Sequence, residues 1–558
     1  MNSPNPALVT HRAAQRLPRA ALLIFCAAYV LPGLFGRDPW KNADITAFGY
    51  MLGIAEGRTP WYDPTLGGLP ADSALLPYWI GAAFIRALGP WLGPALAARV
   101  PFALLLAGAL VGVWYATYYL ARAESAQPLP FAFGGEAAPI DYARAIADGA
   151  LLALIASLGL LQLGHETTPE LAQLASVTLF LFGFAALPFS AVRARIALVL
   201  ALPALAASGA PSIATLLGIV VAVLCRLSPN ADTRHATLWV CASAVASAVV
   251  AAVLGAWGWR VARFDAPGQV IGLVRLLVWF TWPAWPLALW TLWRWRERLS
   301  SRHIMFPLIC AGTALAACIA MGGSDRALML GLPPLAVLAA FALPTLQRST
   351  AAAIDWFSVF FFSIAAITVW VVYVSIETGV PAKPAANIAR LAPGYTPVFS
   401  VLALILAAAA TLAWIWLVHW RTRRTRHPLW KSMVLPASGV SLCWLLVMTL
   451  LLAPLDHARS YRSLVERIAR HVPRDGCVAA PGMPRAPVAA LEYLGGYRID
   501  AITPAASTPC RYLLLMETRG HSGGAGPAWQ LVSRERRSTS DAEVTTVYRR
   551  ASTGAPGS

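Results

Sequence analysis

The stretch RDPWKNADITAFGYMLGIAEGRTPWYDPTLGGLPADSALLPYWIGAAFIRALGPWLGPA, residues 37–95, separates a first apolar segment from a second. It holds Asp38, Asp44, Glu56, Asp63 and Asp72 beside only four basic residues, in a chain otherwise poor in acids. Trp40, Trp61 and Tyr62 are interleaved with Pro60, Pro64, Gly67, Gly68 and Pro70. Connections in compact proteins are short, so a polar loop of this length between hydrophobic segments points to function.

The composition around the loop sets the class. The chain has 558 residues, of which 58% are hydrophobic and 13% charged. A soluble domain carries about 25% charged residues, so most of this chain must face lipid. The net charge of +18 does not point to nucleic acid, because the Lys and Arg fall between apolar segments, where they set orientation. Apolar stretches of spanning length lie at 19–35, 97–121, 144–163, 170–188, 194–208, 210–226, 236–257, 271–293, 304–321, 326–345, 353–375, 395–420 and 433–453. The expected architecture is an α-helical polytopic membrane protein of about 13 spans. The first span reads as a retained anchor, since no small-residue cleavage site follows it.

Connections alternate between Arg-rich and Arg-poor. The Arg-rich set includes Arg12/Arg16/Arg19, Arg122/Arg144, Arg294/Arg296/Arg298 and Arg421/Arg423/Arg424/Arg426. The positive-inside rule places that set and the N-terminal tail 1–18 in the cytoplasm. Loop 37–95 and the tail 454–558 then share the outer side. The simplest setting is a bacterial inner membrane, with these segments in the periplasm.

Within the loop, residues 44–56 place Ile45, Phe48, Met51, Leu52 and Ala55 at near-helical spacing, which predicts an amphipathic helix on the membrane surface. Asp44 stands at its start and Asp72-Ser73 before a second such helix, 74–88. A carboxylate there serves equally as a cap or as a base facing a cavity. On the same side, His165, Glu166 and Glu170 offer a His and carboxylates to a divalent metal ion. Each also serves as a headgroup contact or a cap. Arg326 lies in the polar stretch 322–334; its fork of N–H groups suits a phosphate, and its stem suits snorkelling. Arg260 and Arg263 are second candidates. Trp282, Pro283, Trp285 and Pro286 mark a packed, bent helix.

From 454 the composition turns soluble. The pattern predicts a helix at 457–471, strands at 477–480, 497–500 and 511–516, a helix at 486–494, and a hairpin of 529–534 with 544–549. This is a small α/β domain, 454–550, followed by a tail, 551–558, expected to be disordered. Cys477 and Cys510 flank two strands on an oxidising side, which predicts a disulfide. The other six Cys lie in or beside apolar segments and act as small hydrophobes.

The order of features over most of 19–345, within a transmembrane domain expected at 19–453, resembles the GT-C membrane glycosyltransferases, more narrowly the protein O-mannosyltransferase and lipid A aminoarabinose transferase group. The matching residues are Asp44, then Asp72-Ser73-Ala74-Leu75-Leu76-Pro77-Tyr78-Trp79, Gly89 and Ala98-Arg99-Val100-Pro101. Ser73 stands where that group carries a Lys, and its paired prolines are missing. The resemblance implies a GT-C fold with 37–95 as the periplasmic catalytic loop. It implies transfer of a sugar from a polyprenyl-phosphate carrier to a periplasmic lipid, polysaccharide or protein. Asp44 would be general base and Asp72 a second catalytic acid. Arg326, with Arg58 or Lys41, would bind phosphate, and Glu170 and His165 would support substrate. No P-loop, GxGxxG, HExxH or nucleophile elbow stands out, so cytosolic nucleotide chemistry has no support. A transporter or flippase of lipid-linked sugars is the alternative; the sequence has no evident internal repeat of the transporter kind.

Overall fold

A computed structural model describes residues 6–40, 42–71, 74–131, 134–228, 231–258, 261–262, 267–423, 428–474, 476–518, 525–537 and 543–551. The first part of the chain forms α1 (Arg19–Val30), α2 (Ala43–Ala55), α3 (Leu75–Leu92), α4 (Pro94–Ala121), α5 (Pro139–Ala156), α6 (Leu160–Leu163), α7 (Pro169–Ala186), α8 (Ala191–Ala207) and α9 (Pro211–Leu227). Then come α10 (Ala231–Val253), α11 (Pro267–Phe280), α12 (Ala284–Arg294), α13 (Arg302–Ala320), α14 (Asp325–Met329), α15 (Leu332–Ala342), α16 (Arg348–Thr378), α17 (Ala382–Leu391), α18 (Val401–Arg423) and α19 (Lys431–Leu450). Pro94, Pro139, Pro169 and Pro211 each sit in the first turn of a helix. That position needs no N–H donor and suits the fixed φ of proline.

All thirteen apolar stretches contain helix. Among the described residues, seven helices are long and apolar enough to cross a bilayer. The pair α11 and α12 adds an eighth crossing if counted as one span bent by 84°. The bend falls at Thr281–Pro283, where Pro283 lacks the N–H that would continue the helix. α1, at 12 residues, is about 18 Å long, short of a hydrocarbon core of about 30 Å.

Burial separates inner helices from outer ones. α5 is buried from Ala145 to Ala156, and α15 from Leu332 to Ala342 almost throughout. Helices apolar all round belong in a core. α18 instead exposes Leu402, Ile405, Leu412, Ile415 and Trp416, as a lipid-facing helix does. The sorting of connections into two sets is also reproduced. On one face Thr10 bridges to Glu136, and Leu429 donates its N–H to Ala13 at 2.9 Å. The opposite face gathers the first loop, residues 164–170 and 322–326, and the C-terminal domain.

That domain comprises α20 (Leu452–Arg459), α21 (Arg462–Ala469) and α22 (Arg485–Gly495) with a five-stranded sheet. After a short hairpin in the first loop, β1 (Thr65–Leu66) with β2 (Leu69–Pro70), its strands are β3 (Cys477–Ala479), β4 (Arg498–Asp500), β5 (Tyr512–Thr518), β6 (Trp529–Arg536) and β7 (Glu543–Arg550). The order is β4-β3-β5-β7-β6, parallel among the first three and antiparallel beyond. The expected helix 457–471 is two helices, broken at Ser460, whose hydroxyl is drawn to Asp38 at 2.7 Å. Cys477 and Cys510 are joined as a disulfide, Cα to Cα 5.0 Å.

Candidate functional site

The first loop is not spread on a membrane surface. α2 is buried from Asp44 to Ile54 except at Thr46, because the C-terminal domain lies over it. Phe48 meets Tyr493 edge to face at 4.7 Å, and a Cβ on Gly49 would come within 2.8 Å of Ala489. The expectation of an amphipathic surface helix is therefore corrected. Ile45, Phe48, Tyr50, Met51, Leu52 and Ile54 point to more than one side, so both sides are covered. The β1–β2 hairpin turns on Gly67, at φ 55°, and its N–H and carbonyl bond Glu492 and Ala501, both at 2.9 Å.

Charged contacts bind the same seam. Asp38 accepts from Arg462 Nε at 2.8 Å, Arg462 Nη2 at 2.6 Å and Ser460 Oγ at 2.7 Å. Asp456 accepts from the Asp38 N–H and from Trp40 Nε1, both at 2.9 Å. Burial, then the neighbouring Asp38, pushes the Asp456 carboxyl above the usual range. Arg58 bonds Glu56 at 2.6 Å and Glu492 at 2.8 Å. These two contacts tie the loop to itself and to α22.

Between α2, the start of α7 and the N-terminus of α22 opens a cleft of about 740 Å³. Arg326, Glu170, Tyr78, Gln173, Asn42 and Arg485 contribute to its wall. Asn42 takes φ 66° and ψ −111°, outside the regions that non-glycine residues ordinarily adopt. α14 presents Arg326 after a turn capped by Ser324, whose Oγ accepts from the Ala327 N–H at 3.3 Å. The Arg326 guanidinium donates to Glu166 at 2.7 Å and Glu170 at 3.1 Å. A guanidinium has five N–H donors, so others are left for a ligand. Glu166 is pushed above its ordinary range first by burial and then by Asp44, against the pull of Arg326 and Gln162.

Asp44 lies beneath the cleft floor, 1% exposed. Its Oδ2 accepts from Arg37 Nη1 at 2.8 Å and the Trp40 N–H at 2.9 Å. Its Oδ1 accepts from the Thr167 N–H at 2.8 Å and hydroxyl at 2.6 Å. Burial alone would raise its carboxyl, but Arg37, Arg99 and Thr167 prevail and hold it down to about 2. Arg99 in turn donates to the Arg37 carbonyl at 2.6 Å. Asp44 is thus the counter-charge of a buried arginine pair, and it does not cap its helix.

The His165 ring nitrogens lie 2.7 Å from the Leu161 carbonyl and 2.8 Å from that of Tyr29. Burial presses its imidazole down to about 4. Both ring nitrogens are packed against backbone carbonyls in a buried position, and Glu166 and Glu170 are held by Arg326. The expected His165, Glu166, Glu170 metal set is corrected on that ground: among the described residues no three His, Cys, Asp or Glu group to hold an ion. Asp72, Lys41, Arg260 and Arg263 lie outside the described residues.

Sequence reasoning brought Glu166, Glu170 and Arg326 to one place and missed Arg37, Asp38, Asp456, Arg462 and Arg485. Arg37 and Asp38 open the loop as an acid-base pair, which was the available signal. Asp38's partners, Asp456, Ser460 and Arg462, are hundreds of residues away and leave no local trace.

No family model and no curated protein matches the sequence. The fold does match solved structures. The chain is similar to ArnT from Cupriavidus metallidurans bound to undecaprenyl phosphate, with TM-score 0.61 and 14% identity, over 97% of this chain and 98% of that one. The apo state of the same protein gives TM-score 0.60 and 13% identity over the same shares. The fold is therefore that of ArnT, membrane bundle and C-terminal domain together.

Proposed function

We propose that this chain is a membrane glycosyltransferase that moves a sugar from a polyprenyl-phosphate carrier to an acceptor on the outer face. The observation that supports it most is the cleft. Its wall sets an arginine with spare donors beside a carboxylate, under a fold shared with a protein whose structure holds undecaprenyl phosphate.

In this reading the bond from the anomeric carbon to the phosphate oxygen breaks as the acceptor oxygen attacks in line. One displacement inverts the anomeric centre. Arg326 meets the charge that grows on the departing phosphate, the stage at which preorganised donors lower a barrier most. Glu170 takes the proton of a hydroxyl acceptor; a phosphate acceptor, already ionised, needs no base. The general-base role expected of Asp44 passes to Glu170, because Asp44 is sealed, fully hydrogen-bonded and a weak base. Asp44 instead fixes Arg37 and Thr167, and so the loop that carries Glu166 and Glu170. The outer face is periplasmic, with the basic face in the cytoplasm.

The test is purified protein supplied with host lipid extract as donor source and an envelope fraction as acceptor. Wild type should transfer sugar, Arg326→Gln should not, and Glu170→Gln should lose transfer to a hydroxyl acceptor, with thermal unfolding unchanged. Equal transfer by all three would sink the assignment of the cleft.

A further inference from the structure

On the basic face, far from the cleft, a pocket of about 220 Å³ opens between α1, α4 and α5. Arg16, Arg19 and Arg144 stand around it, and Leu22, Cys26, Leu110, Val111, Trp114 and Tyr115 form its apolar walls. Arg16 and Arg19 are exposed and make no ion pair among the described residues. Arg144 has a 3.4 Å contact to Asp141. The one carboxylate in the lining, Asp148, is 2% exposed. Its oxygens accept from the Leu17 N–H and from Trp114 Nε1, both at 2.8 Å, so they face those donors. The lining thus keeps a positive excess at its rim.

The pocket runs inward from that rim. α1 begins at Arg19, and Cys26 lies about 10 Å further along its axis. α4 ends at Ala121, and Val111 lies about 15 Å before that end. Val111 is 53% and Tyr115 44% exposed, so the pocket is open sideways to the hydrocarbon. A free anion has no use for the apolar walls, and a neutral lipid has none for three guanidinium groups.

We propose that this pocket binds an anionic phospholipid of the surrounding leaflet. Its phosphate lies against Arg16, Arg19 and Arg144, and an acyl chain lies along Cys26, Val111 and Tyr115. Basic pockets between transmembrane helices on one face are suited to such headgroups. The site is independent of the transferase reading.

The experiment reconstitutes the full chain in nanodiscs of phosphatidylcholine with phosphatidylglycerol, then extracts it and counts retained lipid by mass spectrometry. Wild type should retain phosphatidylglycerol over phosphatidylcholine. Arg16→Gln/Arg19→Gln/Arg144→Gln should lower that retention at least tenfold. Val111→Trp, which keeps the three cations and fills the wall, should lower it comparably and decides the matter if the triple variant fails to fold. Arg294→Gln/Arg296→Gln, on the same face, should change nothing. Unchanged retention in the folded triple variant or in Val111→Trp overturns the proposal. So does displacement of the lipid by inorganic phosphate, which would mark a plain anion site, or an equal loss in the Arg294/Arg296 variant, which would mark a general basic belt.

Discussion

Asp44→Asn should destabilise the protein severely without touching the cleft surface. The carboxylate accepts four hydrogen bonds on two oxygens, all from the protein. An asparagine has one oxygen, so its amide group must face either the Arg37 and Trp40 donors or those of Thr167. The greater loss is electrostatic. Arg37 is 2% exposed in its side chain, and removing one partner of a buried pair costs about 3–5 kcal/mol. The carboxyl itself gives a second measure: its fall from 3.8 to about 2 is worth ~2.5 kcal/mol at neutral pH. The two figures agree in order of magnitude, and the larger applies to Asn, which also turns N–H groups toward donors. Because the folded value lies below the unfolded one, this stability is present above about pH 5 and drains as pH falls toward 2. The assay is denaturation in mixed micelles at several pH values. Asp44→Leu/Arg37→Met should recover part of the loss, since it removes the unpaired Arg37 charge, while Arg99 still loses its neighbouring carboxylate. A stability for Asp44→Asn within about 0.5 kcal/mol of wild type, the scatter of ordinary surface changes, would refute the account of Asp44 as the counter-charge of Arg37.

Arg326→Lys should lose most transfer, on the order of a hundredfold, because a point charge cannot hold Glu166, Glu170 and a phosphate at once; steady-state kinetics with unchanged thermal unfolding would bear this out. Arg462→Ala should loosen the C-terminal domain rather than unfold the bundle, at a cost of about 1 kcal/mol given its exposure, seen as faster hydrogen exchange in α2 and α22. Cys477→Ser/Cys510→Ser should cost up to about 4 kcal/mol in that domain, since the bridge closes a separation of 33 residues in the unfolded chain; protease resistance of the domain should fall while the bundle persists.

The fold was legible where it depends on local chemistry. Apolar runs of spanning length gave the helices, alternation of Arg gave the two faces, and Cys477 with Cys510 gave the bridge. The site was legible as a grouping of Glu166, Glu170 and Arg326 on one face. What could not be read was distance in sequence. Nothing near Arg58 announces Glu492, and nothing near Asp38 announces Arg462. α2 read as a surface helix because a five-residue stripe fits one. Tyr50 and Ile54, off that stripe, were the sign that a second layer covers it.

The most direct test is the fate of a labelled polyprenyl-phosphate sugar in sealed vesicles carrying the purified protein. A transferase must release polyprenyl phosphate in step with glycosylated acceptor, because the sugar–phosphate bond is the one that breaks. The expected result is one carrier freed per sugar transferred, lost in Arg326→Gln. Donor that crosses the bilayer intact, with no carrier released, would contradict the account and make the protein a flippase.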